Sequence, residues 1–134
     1  MIGLNTNVLC RYLLADDPQQ TAKAEETIED ALERGEACFV SKIVLCELVW
    51  VLETCTPMDT EAISGTLDKL LHVANLKVEE REQVRRALAL FKTERGDFSA
   101  FSDHLIHQTN VSAGSRKTVT FDKDLWGLPG FEVL

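Results

Sequence analysis

Basic charge is scarce in this sequence. Lys plus Arg number 14 against 22 Asp plus Glu, a formal net charge of −8. Such a deficit excludes a protein that grips nucleic acid through a broad cationic surface, because that mode works by neutralising phosphates. It leaves a nuclease open, since acids that gather around a metal ion also drive the count negative. Long apolar runs are absent as well: none approaches ~18 residues, so no segment is built to span a bilayer. Met1-Ile2-Gly3-Leu4 passes into polar residues with neither the basic stretch nor the apolar core of a secretory leader. Cysteine is limited to Cys10, Cys38, Cys46 and Cys55, none in a C-x-x-C pair, which argues against structural zinc. These residues sit in apolar runs and read as small hydrophobes in a reduced cytoplasmic protein. There is no repeat, low-complexity tract or linker.

What is present is enough for a core. The chain has 134 residues, 45% of them hydrophobic, which suits a single domain over residues 1–134. Met1 to Leu4 reads as a short buried strand, followed by a helix over Val8 to Leu14. Asp17-Pro18 is a helix start, a carboxylate cap followed by proline at the first helical position. Ala24, Ile28, Ala31 and Leu32 continue at helical spacing, and Gly35 stops the helix. Ala37 to Val40 predicts a second strand. Ser41 caps a helix carrying Ile43, Val44, Leu45, Leu48, Val49, Val51 and Leu52, apolar on most sides and therefore either deeply buried or an oligomer face. Further helices are marked by Ile63, Leu67, Leu70 and Leu71, by Val84, Ala87, Leu88 and Phe91, and by Asp103 to Ala113. Asn75–Val78, Thr118–Phe121 and Phe131–Leu134 predict strands. Strands alternating with helices predict an α/β domain with a mainly parallel sheet.

In such sheets ligands sit beyond the carboxyl ends of the strands. Asn5 ends the first strand, Glu47 lies one to two turns into the helix after the second, Asp103 opens a late helix, and Asp122 follows Thr118–Phe121 directly. Asp97 is nearby in sequence. Carboxylates brought together stay ionised only with a cation or bound protons. Oxygen donors without His or Cys favour Mg²⁺ or Mn²⁺, which activates water and neutralises charge on a phosphoryl group. The plainer reading is that Asp103, after Ser102, and Asp122 are helix caps.

The same segments resemble the PIN-domain family. Ile2-Gly3-Leu4-Asn5-Thr6-Asn7-Val8-Leu9 is similar to the family's opening strand, Asp, Thr or Ser, Asn and Val-Leu. Leu45-Cys46-Glu47-Leu48-Val49-Trp50-Val51-Leu52 resembles its second motif. The segment from Asp97-Phe98-Ser99 through Ser102-Asp103-His104-Leu105-Ile106 resembles the third, and Thr118-Val119-Thr120-Phe121-Asp122 with Pro129-Gly130-Phe131 the fourth. Four weak motifs in the right order cover almost the whole chain, and the VapC-type toxins of bacterial toxin–antitoxin pairs are the subgroup it resembles. The resemblance implies a PIN-like three-layer α/β/α domain and a Mg²⁺- or Mn²⁺-dependent endoribonuclease that cuts transfer or ribosomal RNA and stops translation. It also implies a homodimer silenced by a VapB-type antitoxin. Carried over, the catalytic and metal positions are Asn5, Glu47, Asp103 and Asp122, with Asp97 as the reserve for the third acid and Thr6 and Asn7 supporting by hydrogen bonds. Two departures stand out. Asn5 replaces the family's Asp, removing one charge, and Ala100-Phe101-Ser102 separate Ser99 from Asp103. Asn5 makes a weakened or inactive enzyme the expectation. It also favours an alternative, a non-catalytic PIN-fold protein that holds an antitoxin or another partner. A receiver-like signalling domain fits the order of the acids poorly.

The remaining polar residues have plainer readings. His104 and His107 share a helix face, but no Cys or Glu is spaced to complete a zinc site, so they read as surface or structural residues. Trp50 reads as a core or dimer anchor, and Asp16 and Asp17 as a cap. Arg11, Lys42, Arg116, Lys117 and Lys123 lie near the motif ends and read as solvated charges before RNA contacts. The Ile43–Leu52 and Ile63–Leu71 helices either form a groove for an amphipathic partner segment or simply pack on the sheet.

Overall fold

Four of the helices begin at a capping side chain, and the computed structural model, which describes residues 1–93 and 99–134, falls into two compact units, residues 1–81 and 82–134. The first unit contains β1 (Ile2–Gly3), α1 (Thr6–Leu14), α2 (Pro18–Glu33), β2 (Cys38–Val40), α3 (Lys42–Cys55), α4 (Thr60–His72) and β3 (Leu76–Val78). Its sheet runs β1-β2-β3, every pairing parallel, with Ile2 opposite Cys38 and Cys38 opposite Leu76. Asp17 accepts the Gln20 N–H at 3.1 Å with Pro18 at the first helical position, as expected for α2. Ser41 Oγ accepts the Val44 N–H at 3.3 Å and starts α3. Asp59 does the same for α4 through the Ala62 N–H at 2.8 Å. Helix α1 begins two residues earlier than predicted, because Asn5 already satisfies the first orphan N–H.

The buried side of α3 is Leu45, Leu48, Val49 and Leu52, at the i, i+3, i+4, i+7 positions of one face. Ile43, Glu47, Trp50 and Thr54 lie on the opposite face and are exposed. The core reading of Trp50 is therefore corrected: the residue is 62% exposed. An apolar composition all round the helix hides which side is buried, and here the side with Glu47 on it is the outer one. Leu32 on α2 is likewise exposed, the inner face being Thr21, Ala24, Ile28 and Ala31.

The second unit takes up α5 (Arg81–Thr93) from Glu82 and continues with α6 (Ser99–Ser112), β4 (Thr118–Thr120), a 3₁₀ turn (Lys123–Leu125) and β5 (Phe131–Val133). β4 and β5 pair in parallel, Thr118 opposite Phe131. Val84, Ala87, Leu88 and Phe91 of α5 and Phe101 and Leu105 of α6 are buried, and Phe91 meets Phe101 edge-on at 5.8 Å between ring centroids. Helix α6 starts at Ser99, not at Asp103. Its apolar spacing extends back to Phe101, and burying that ring adds a turn ahead of the acid. The α/β reading with parallel strands is what the structure shows. Among the described residues, no helix is long and apolar enough to cross a membrane.

Candidate active site

At the end of β1 the backbone turns into α1 through Asn5, held extended at φ −84° and ψ 160°. Its Oδ1 accepts the Thr6 N–H at 2.6 Å. Asn and Asp are about equal as N-caps, so the amide at this position costs the helix nothing. Thr6, buried, donates its hydroxyl to Glu47 Oε2 on α3. Three predicted residues of the first unit, Asn5, Thr6 and Glu47, are thus brought to one corner, with Glu47 presented on the exposed face of its helix. Asn7 goes elsewhere, to the wall of a cavity of about 520 Å³ that Leu4, Val8, Arg11 and Ala24 also line.

In the second unit α6 is fastened to β4. His107 Nδ1 lies 2.8 Å from Thr118 Oγ1, and Asn110 Nδ2 donates to the same oxygen at 3.1 Å. Asp103 is half-buried in the second turn of α6. The reading of Asp103 as a helix cap is therefore corrected, since the helix N-terminus is a full turn away. Asp122 does cap: its Oδ1 accepts the Asp124 N–H at 2.9 Å, and its own N–H donates to Thr120 Oγ1 at 3.0 Å. Asp97 lies outside the described residues. His104 is buried and His107 half-buried, their rings 6.1 Å and 4.9 Å from that of Phe131. They pack β5 onto α6, the structural role expected of them.

Glu79 escaped the sequence reading. It follows β3 directly, accepts the Lys42 N–H at 2.8 Å through Oε2 and donates its own N–H to Val40 at 2.9 Å. It therefore caps α3, the helix that carries Glu47. The available signal was an acid immediately after an apolar strand, at the carboxyl edge of the sheet. Among the cations, Arg11 is committed to Asp16 at 2.8 Å and Gln20 at 2.6 Å, and Lys117 to Glu132. The Arg11 hydrogen bond holds the Asp16 carboxyl below its usual range. Arg116 and Lys123 are exposed.

The predicted donors are all oxygens, the amide of Asn5 and the carboxylates of Glu47, Asp103 and Asp122, which suit a hard divalent cation. Asn5 leaves that set one charge short. Among the described residues, no three His, Cys, Asp or Glu side chains are grouped closely enough to hold a metal ion.

A family model described as the PIN domain matches residues 2–128, running through both units. A protein of Aquifex aeolicus (strain VF5) named VapC ribonuclease is 28% identical over 95 residues, covering 71% of this chain and 70% of that protein.

Proposed function

This chain belongs to the PIN-domain family, and on that premise we propose that it is an endoribonuclease of the VapC type, with residues 1–134 acting as one domain. The observation that carries the proposal is the Thr6–Glu47 hydrogen bond beside the Asn5 cap. It joins the family's first and second motifs in an oxygen-only corner. The relative named VapC ribonuclease supports the same reading. The site residues proposed are Asn5, Glu47, Asp103 and Asp122, with Thr6 orienting Glu47. When bound, Mg²⁺ or Mn²⁺ would supply charge neutralisation and an activated water. Thr6 holds one carboxylate oxygen of Glu47 in place, and Glu79 fixes the start of the helix from which Glu47 projects. Asn5 keeps the shape of the corner and withholds a charge, so the chain as it stands is weakened or silent. A homodimer, a VapB-type antitoxin and a cytoplasmic setting complete the proposal. The exposed Ile43 and Trp50 on the outer face of α3 offer apolar contact area for a protein partner.

The test compares this chain with Asn5→Asp, each with Mn²⁺ and a pool of structured RNAs, reading cleavage on a gel. Cleavage by the variant alone, abolished by chelator, is the expected result. Absence of cleavage by both overturns the ribonuclease reading in favour of a PIN-fold protein that binds a partner without catalysis, the reading that Asn5 itself favours.

A further inference from the structure

Phe121 and Trp126 flank Asp122 and are 81% and 79% exposed. The sequence holds only six Phe, two Trp and one Tyr, and Phe91 and Phe101 are fully buried. Two rings facing water five residues apart therefore stand out against the chain's own use of aromatics. The segment that carries them is well pinned. The Leu125 N–H donates to the Asp122 carbonyl at 3.2 Å, the Trp126 N–H to Lys123 at 3.1 Å and the Leu128 N–H to Leu125 at 3.2 Å. Asp122 caps the turn, and Leu125 is buried beneath it. The backbone that carries Trp126 is thus fixed, and the two exposed rings stand one residue before and four residues after an acid proposed for the site. Lys123, exposed between them, is the turn's cation, set between Asp122 and Asp124.

A chain of net charge −8 has little means of holding RNA by neutralising phosphates. Stacking of unpaired bases on aromatic faces is the contribution that does not depend on net charge, and it is strong enough to carry binding. We infer that Phe121 and Trp126 form a stacking platform that takes unpaired RNA bases on either side of Asp122. The inference rests on the ribonuclease reading, because it is that reading which brings RNA to Asp122.

The experiment measures fluorescence anisotropy of a labelled single-stranded oligoadenylate of about twelve nucleotides, within the range of such sites. It uses the full chain with chelator present, so cleavage plays no part. The single strand is expected to bind more tightly than the same strand in a duplex, with affinity changing little as salt rises. Phe121→Ala and Trp126→Ala should each weaken binding by about tenfold, and Trp126→Phe should restore most of the loss. Circular dichroism checks that the variants fold. Unchanged affinity in both Ala variants, equal affinity for duplex, or no binding by the parent overturns the platform. Loss of self-association in Trp126→Ala with RNA affinity intact also overturns it and makes the rings a protein contact. Failure of Asn5→Asp to cleave, with stacking variants that still lose affinity, sinks the ribonuclease reading and leaves the platform standing. Cleavage by Asn5→Asp, with KM and affinity unmoved by Phe121→Ala and Trp126→Ala, sinks the platform alone.

Discussion

Single side chains hold this molecule's chemistry in place through contacts that can be removed one at a time. Thr6→Val keeps the volume and deletes the hydroxyl that binds Glu47. Urea denaturation should show a loss of about 1 kcal/mol, the net worth of one hydrogen bond. In the Asn5→Asp background cleavage should fall further than that stability loss accounts for. Gly130 has φ +85°, and a Cβ there would collide with the His107 ring. Gly130→Ala therefore combines overpacking with a backbone angle that L-residues avoid, and should cost about 1–3 kcal/mol in the same measurement. Asp16 provides a pH signature. Its folded-state pKa lies below the unfolded value because Arg11 hydrogen-bonds to it. Its stabilisation is present above the ordinary carboxylate pKa of about 3.9 and disappears as pH falls through the lower folded value. The urea midpoints of the parent and Asp16→Asn should differ at neutral pH and converge in that acid window. Asp16 is exposed, so the difference will be small and salt-sensitive.

Helices show which features were legible in the sequence. The Asp17-Pro18 start of α2 and the Ser41 start of α3 were readable because a cap is a local device, needing only a side-chain oxygen and the N–H groups two or three residues on. Asp17→Ala should cost about 1 kcal/mol for that reason. The start of α6 misled because Ser102-Asp103 imitates a cap, while the burial of Phe101 that lengthens the helix depends on tertiary packing with Phe91. Trp50 misled because an apolar residue within an apolar run carries no mark of the side it faces. Glu79 was missed because its partner, the Lys42 N–H, lies 37 residues away in the chain. Leu48, on the inner face of α3, is fully buried, and Leu48→Ala should cost about 2–5 kcal/mol by thermal or urea unfolding. The outer face of the same helix tolerates truncation at Ile43 far better.

At the scale of a whole compact unit, the thiols, all within residues 1–81, report which parts of it are sealed. Burial pushes the Cys10 and Cys38 thiols up from their ordinary value, while Cys55 is exposed. A thiol reagent at neutral pH should modify Cys55 promptly and reach Cys10 and Cys38 only on unfolding, which mass spectrometry of timed samples would read. The α/β class and the order of the elements were legible because alternating periodicities span the full chain. The strand-end rule pointed to Asn5, Glu47, Asp103 and Asp122, but their roles as one set came only from resemblance, since Asn5 and Glu47 belong to one compact unit and Asp103 and Asp122 to the other. The Asn5 cap has a consequence at this scale. Asp caps a helix as well as Asn does, so exchanging the two keeps the start of α1 intact while, on the proposed function, restoring a charge to the site. On that reading, conformation and reactivity are separately adjustable at position 5. On the proposed function, a partner that reads only the surface around α1 would bind this chain and its Asn5→Asp form alike, which competition binding would measure.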